Sequence, residues 1–311
     1  MTNPYISVVI PVYNEEPVLE TLYQRLTSAM DKLHKSYEII LVNDGSRDRT
    51  ENMLKELHAR RPDVIRAINF NGNFGQHMAI MAGLENVRGD IIVTMDADLQ
   101  NPPEEIGKFI DLIEQGHDTV GGYRQNRQDP IWRRFISRMH NLVRAKITPG
   151  LHMKDEGCML RAFRRNIVDL MVSSGERSTF IPALALSYAN NPAEVSVLHE
   201  ERAAGESHYS LYKLIRYNFD LITNFSLVPL QMFTMVGVAV SVGSALLVIY
   251  MLIRRLVIGP EAEGIFTLFA IAFFLIGICL FGLGLLGEYI GRIYQEVRQR
   301  PRFVIKNKIE K

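Results

Sequence analysis

The first third of the chain alternates between two hydrophobic periods, and the last third carries long runs without charge. Ile6–Ile10 is a short β-rich run closed by Pro11. Glu15–Leu33 has apolar residues at Val18, Leu22, Leu26 and Met30, the spacing of one helical face. Tyr37–Val42 predicts a second strand and Thr50–Arg60 a second helix. Val64–Asn69 predicts a third strand, Gln76–Asn86 a third helix and Asp90–Met95 a fourth strand. This order predicts a parallel sheet sandwiched between helices. Ligands of such open sheets bind beyond the carboxyl ends of the strands. Three polar clusters fall at those ends: Pro11–Glu15, Asn43–Ser46 and Asp96–Gln100.

No charge interrupts the chain between Asp220 and Arg254, nor between Glu263 and Glu288. About 20 apolar residues suffice for a helix to cross a bilayer. Spans are therefore expected at 228–253 and 265–287, joined as a hairpin. The segment after the second span holds Arg292, Arg298, Arg300, Arg302, Lys306, Lys308 and Lys311, against Arg254 and Arg255 in the connection. Positive-inside bias places that 288–311 tail and the N-terminal domain in the cytoplasm. Small residues, among them Gly237, Gly277 and Gly282, permit close helix approach.

Charge and cysteine narrow the classes. There are 35 Lys+Arg against 34 Asp+Glu in 311 residues, so bulk nucleic-acid binding is not expected. Cys158 and Cys279 are the only thiols, which excludes a disulfide framework and a Cys-rich zinc site.

The chemistry concentrates in Asp96-Ala97-Asp98-Leu99-Gln100. Asp96 and Asp98 point to one side if the chain stays extended. Two carboxylates and a neutral amide oxygen suit a hard divalent ion, Mg2+ or Mn2+, that also takes phosphate oxygens. Asp44 either serves its own turn or accepts hydrogen bonds from a base or ribose. Asn73, Gly75, Gln76 and His77 open a helix whose backbone N–H groups can face a ligand. Residues 131–147 combine an apolar stripe containing Trp132 and Phe135 with Arg133, Arg134 and Arg138. That pattern reads as a helix lying on an anionic membrane surface, and 206–227 reads as a second interfacial element.

Val9-Ile10-Pro11-Val12-Tyr13-Asn14-Glu15, Asn43-Asp44-Gly45-Ser46-Arg47-Asp48 and Asp96-Ala97-Asp98 resemble the signatures of glycosyltransferase family 2. Gly205-Glu206-Ser207 and Gly287-Glu288-Tyr289-Ile290-Gly291-Arg292 resemble its polyprenyl-phosphate branch. Residues 71–83, Leu99–Glu105, Arg124–Asp129 and Gly157–Arg161 are similar to branch members that transfer 4-deoxy-4-formamido-L-arabinose. The resemblance implies an α/β GT-A (Rossmann-like) catalytic domain at 1–205, then the transmembrane hairpin. It implies a UDP-sugar donor, undecaprenyl phosphate as acceptor, a homotetramer and the bacterial inner membrane.

By the same resemblance Pro11, Tyr13, Glu15, Val42, Asp44, Gln76, Asp96 and Ala97 match donor-nucleotide positions. Asp98 and Gln100 match metal ligands, and Arg124 and Arg202 match cations around the phosphates. Asp96, Asp98, Arg124 and Arg202 form the expected catalytic set. Arg127, Arg133, Arg134, Ser137 and His208 match the acceptor-phosphate region. His208 stands where the family often has Lys, so a constant cation is replaced by one that titrates near neutrality. Alternatives are transfer of glucose or another sugar, and a scaffold that binds nucleotide sugars without turnover. A processive polysaccharide synthase is disfavoured, because its Q-x-x-R-W element is absent around the sole Trp.

Overall fold

The computed structural model describes residues 3–124, 153–155, 157–175, 180–200, 228–258, 265–298 and 301–310. The chain divides into two units, 1–210 with 300–311 and 211–299.

In the first unit β1 (Ile6–Val12), β2 (Tyr37–Asn43), β3 (Ile65–Phe70) and β4 (Ile91–Thr94) alternate with α1 (Leu19–Asp31), α2 (Thr50–Arg60) and α3 (Gln76–Leu84). Next come α4 (Ile106–Glu114), β5 (Thr119–Arg124), β6 (Arg161–Arg164), α5 (Arg165–Ser173), α6 (Ile181–Tyr188) and β7 (Pro192–Val197). The sheet has eight strands in the order β7-β5-β6-β4-β1-β2-β3-β8, where β8 is Ile305–Ile309. Strands β1 to β4 pair in parallel, as their alternation with helices predicts.

Strand residues alternate between two apolar layers. Ile6, Val8, Ile10 and Val12 of β1 pack with Leu22, Leu26 and Met30 of α1 and Phe109 of α4. Val9 faces the other layer, with Ile80 of α3, Val168 of α5 and Leu184 of α6. Both faces of the sheet are therefore covered, and the strand ends are left to carry chemistry.

Within the 288–311 segment expected as a basic cytoplasmic tail, Ile305–Ile309 forms a strand that the sequence reading did not predict; it pairs antiparallel with β3 and completes the sheet edge. Its alternation of Ile and charged or polar residues is too short to separate from a solvated run by pattern alone.

The second unit contains α7 (Val228–Ile258) and α8 (Ile265–Val297), both longer than the spans predicted. Ile271–Gly291 has the length and apolar content to cross a membrane. The described apolar stretch of α7, Leu230–Val240, is shorter. The helices meet at Phe233 and Phe281, ring centroids 5.8 Å apart. A Cβ on Gly282 would lie 2.1 Å from the Phe233 ring, so a hydrogen is what fits there.

Candidate active site

The three polar clusters meet at the carboxyl end of the sheet. The loops after β1 and β2 are laced together. Asn14 N–H donates to Ser46 Oγ at 2.9 Å, and Arg47 N–H donates to Asn14 Oδ1 at 2.8 Å. Asn14 holds a left-handed backbone, φ 55°, which Asn tolerates better than most residues. Glu15 N–H donates to Thr50 Oγ1. Tyr13 is exposed beside this junction, whereas Pro11 and Val42 are buried in the sheet. The Val42 side chain packs in the apolar layer with Ile68 and Ile80.

Asp44 is 3% exposed. Its carboxylate accepts Phe74 N–H at 2.7 Å and Gly75 N–H at 2.9 Å. Burial pushes its carboxyl above the ordinary range, and these two backbone donors pull part of the way back. The helix-opening N–H of Gly75, expected to face a ligand, thus faces Asp44. Gly45 follows with φ +70°, and a Cβ there would stand 2.5 Å from the Gly72 carbonyl carbon. The loops after β2 and β3 touch backbone to backbone at that point.

After β4, burial alternates residue by residue. Ala97 and Leu99 are buried, while Asp96, Asp98 and Gln100 are partly exposed. The chain does not stay extended here, because Ala97 and Asp98 form a turn, and both carboxylates are partly open to solvent. Leu99 has φ 59°, an uncommon conformation for a bulky residue and a mark of a constrained loop. Gln76 Nε2 donates to Asp96 Oδ1 at 2.5 Å, joining two sequence-predicted donor residues. Gln100 N–H donates to Asp98 Oδ1 at 3.1 Å. No group of three or more His, Cys, Asp or Glu residues able to hold a metal occurs among the described residues. The oxygens of Asp98, Asp96 and Gln100 fit a hard cation that completes its shell with phosphate and water, and they do not fit a zinc cage.

Arg124, at the end of β5, is gripped by a residue that sequence reasoning missed. Its Nε and Nη2 donate to Asp155 at 2.6 and 2.9 Å, and its N–H reaches the same carboxylate at 3.3 Å. Burial pushes the Asp155 carboxyl up, but the hydrogen bonds and charge of Arg124 outweigh it and hold the carboxyl below its usual range. Nothing local in Lys154-Asp155 signals this pairing across chain distance. Arg25 was missed too. It donates to Glu104 at 2.9 and 3.1 Å and to Glu200 at 2.9 and 3.1 Å, and Glu200 N–H reaches Gln100 O at 2.9 Å.

His77 is partly buried. Its Nδ1 has no hydrogen-bond partner, its ring lies edge-on to Phe180 at 5.5 Å, and burial lowers its pKa to about 4. Arg127, Arg133, Arg134, Ser137, Arg202 and His208 lie outside the described residues, as do the interfacial segments 131–147 and 206–227.

The glycosyl transferase family 2 model matches residues 7–171, which include every loop just described up to Arg161. The chain belongs to glycosyltransferase family 2. The "GtrB C-terminal hairpin" model matches residues 228–293 of this glycosyltransferase. It is 47% identical over 308 residues to the undecaprenyl-phosphate 4-deoxy-4-formamido-L-arabinose transferase of Edwardsiella ictaluri, covering 98% of this chain and 94% of that one. It is 49% identical over 302 residues to the protein of the same name from Serratia proteamaculans, covering 96% and 92%. A mycobacterial protein of known crystal structure shares the catalytic fold, with a TM-score of 0.50 at 20% identity over 71% of this chain and 73% of that one.

Proposed function

We propose that this glycosyltransferase moves 4-deoxy-4-formamido-L-arabinose from UDP to undecaprenyl phosphate on the cytoplasmic side of the bacterial inner membrane, with both apolar helices crossing it. The observation that carries this reading is near-full-length identity of 47–49% to transferases of that name. The product is a lipid-linked sugar of the kind used to modify lipid A, a change that underlies polymyxin resistance.

Asp44 and the loop around Tyr13 and Glu15 recognise the nucleotide, and Gln76 orients Asp96 toward the donor. Asp98 and Gln100 hold Mg2+ or Mn2+. A divalent cation bound there supplies positive charge to the departing diphosphate. Arg124, fixed by Asp155, and Arg202 surround the phosphates. Arg127, Arg133, Arg134, Ser137 and His208 take the acceptor phosphate at the membrane surface.

A phosphate monoester is largely dianionic at pH 7, since its second pKa is near 6. One of its oxygens attacks the anomeric carbon as the bond from that carbon to the diphosphate breaks. The electron pair leaves with UDP, and the anomeric configuration inverts. No proton has to be removed from the nucleophile, so the residues supply alignment and charge. Purified full-length protein should be incubated with undecaprenyl phosphate and a panel of UDP-sugars, and the lipid product weighed by mass spectrometry. A formamido-arabinosyl lipid is expected. A product made only from UDP-glucose refutes the sugar assignment, and no product from any donor refutes the transfer.

A further inference from the structure

The sheet is completed by a strand from the far end of the chain, and that strand reaches toward the two loops that hold Asp44. Three asparagines form a ladder across the last three strands. Asn43 Nδ2 donates to Asn69 Oδ1 at 2.9 Å, and Asn69 Nδ2 donates to Asn307 Oδ1 at 2.8 Å. The pairing register puts Asn43 opposite Asn69 and Asn69 opposite Asn307. Asn43 and Asn69 are 2% and 0% exposed, so their amides depend on one another for partners. The ladder ends in the site, because Asn43 Oδ1 accepts the Ser46 N–H at 2.9 Å and so shapes the turn that begins at Asp44.

A second connection runs through rings. Phe303 stacks on Phe70 at 5.0 Å with 10° between planes, and Phe70 meets Phe74 edge-on at 5.6 Å. Asn71 N–H donates to Val304 O at 3.1 Å. Phe74 and Gly75 then supply the two N–H groups bound by Asp44. Both routes start on the C-terminal segment; the ladder ends on the turn that begins at Asp44, and the ring contacts end on the loop whose N–H groups its carboxylate binds. Elsewhere the strand is anchored independently, with Glu310 paired to Arg66 at 2.6 Å and to Arg88 at 3.1 Å.

We propose that the C-terminal strand is a positioning element of the donor pocket, with Asn307 acting through Asn69 and Asn43 on the loops that present Asp44. This rests on the reading of Asp44 as a nucleotide contact. Asn307 does not touch substrate. It is exposed at the sheet edge, and its contribution is the acceptor oxygen that terminates the ladder.

The acceptor distinguishes two nearly isosteric variants of the full-length protein. Asn307→Leu removes the oxygen, while Asn307→Asp keeps it. The ladder bond favours the loop conformation that binds UDP, so its loss in Asn307→Leu raises the UDP dissociation constant by up to about fivefold. The donor KM should rise in proportion, with kcat nearly unchanged. Asn307→Asp should bind UDP like the wild type. Hydrogen exchange at the Phe74 and Gly75 amides should quicken in Asn307→Leu and not in Asn307→Asp. Glu310→Gln is the comparison for strand docking alone: it should lower the unfolding temperature without changing UDP affinity. If Asn307→Leu loses thermal stability but keeps wild-type UDP affinity and wild-type exchange at those amides, the proposal is wrong. Should the leucine variant not fold, Asn307→Ala takes its place. Failure of the wild type to bind UDP overturns the nucleotide reading instead, and exchange at the two amides then decides whether Asn307 holds the loops.

Discussion

The grip of Asp155 on Arg124 gives the sharpest test of the site's construction. The perturbation is Asp155→Asn, which preserves shape and one acceptor oxygen but removes the charge. The carboxylate is 5% exposed in its side chain and the Arg124 side chain 24%. Besides Arg124 it accepts Gly157 N–H at 3.1 Å. Breaking a buried pair by neutralising one partner costs about 3–5 kcal/mol. Water reaches part of the guanidinium, and the asparagine oxygen retains some of the contact, so about 2 kcal/mol is expected. For a unit of this size that is a fall of about 4–8 °C in unfolding temperature. The sign with pH follows from the lowered carboxyl. Its stabilising contribution is complete above the unfolded carboxyl value of about 3.9 and is lost as pH falls through the lower folded value. Thermal unfolding of full-length wild type and variant should therefore differ most at pH 7 and converge in strong acid. Equal unfolding temperatures at pH 7, or a gap that widens below pH 4, would refute the reasoning.

Asp98→Asn should keep the fold, because the asparagine oxygen can still accept the Gln100 N–H; metal-dependent turnover should fall about 100-fold or more, read in the lipid-product assay. Gly45→Ala must place a Cβ against Gly72 at a positive φ; about 2–4 kcal/mol of stability should be lost, and the donor KM should rise, measured by thermal unfolding and kinetics. Gly282→Val drives a Cβ into the Phe233 ring and should destabilise the α7–α8 pair by about 1–3 kcal/mol. Combining it with Phe233→Leu should recover part of that loss in detergent unfolding experiments. Cys158 is buried and its thiol is pushed up to about 11, so maleimide at pH 7.5 should leave it unmodified until the protein is denatured, as mass spectrometry would record.

Much of the parallel core was legible because its strands are buried on both faces and each is followed by a periodic helix. Thr50–Arg60 was read to the residue, and β1, β3 and β4 to within two residues at either end. Pattern carries less for the later strands. β6 spans Arg161–Arg164, half of it Arg, and β8 is Ile305–Ile309 with two Lys. Both pair antiparallel with neighbours far away in sequence. Their burial comes from those neighbours and leaves little trace in local periodicity. In the site, residue types that cluster in sequence were found: Asp44, Asp96, Asp98 and Gln100 all lie at strand ends. Gln76, the partner of Asp96, was found too, but other partners were not. Asp155 for Arg124, Phe74 for Asp44 and Glu104 and Glu200 for Arg25 are contacts that only tertiary folding creates.

Those partners also explain the kind of catalyst the fold builds. A general base must have a pKa near the working pH to be effective, and His77, partly buried and lowered to about 4, is far from that. A lipid phosphate that is already anionic does not require one. What it requires is a donor held still, with its reacting carbon open to attack opposite the diphosphate. The hydrogen bonds at the candidate site suit that need: Asp44 is tied to the β3–α3 loop, Asp96 to Gln76 and Arg124 to Asp155. Left-handed Asn14 and Leu99 are held at the same end of the sheet. Ordering these groups costs folding free energy once, and the alignment is then available in every turnover without further loss of freedom. Constraints around carboxylates and an arginine suit the proposed reaction, in which these groups supply alignment and charge.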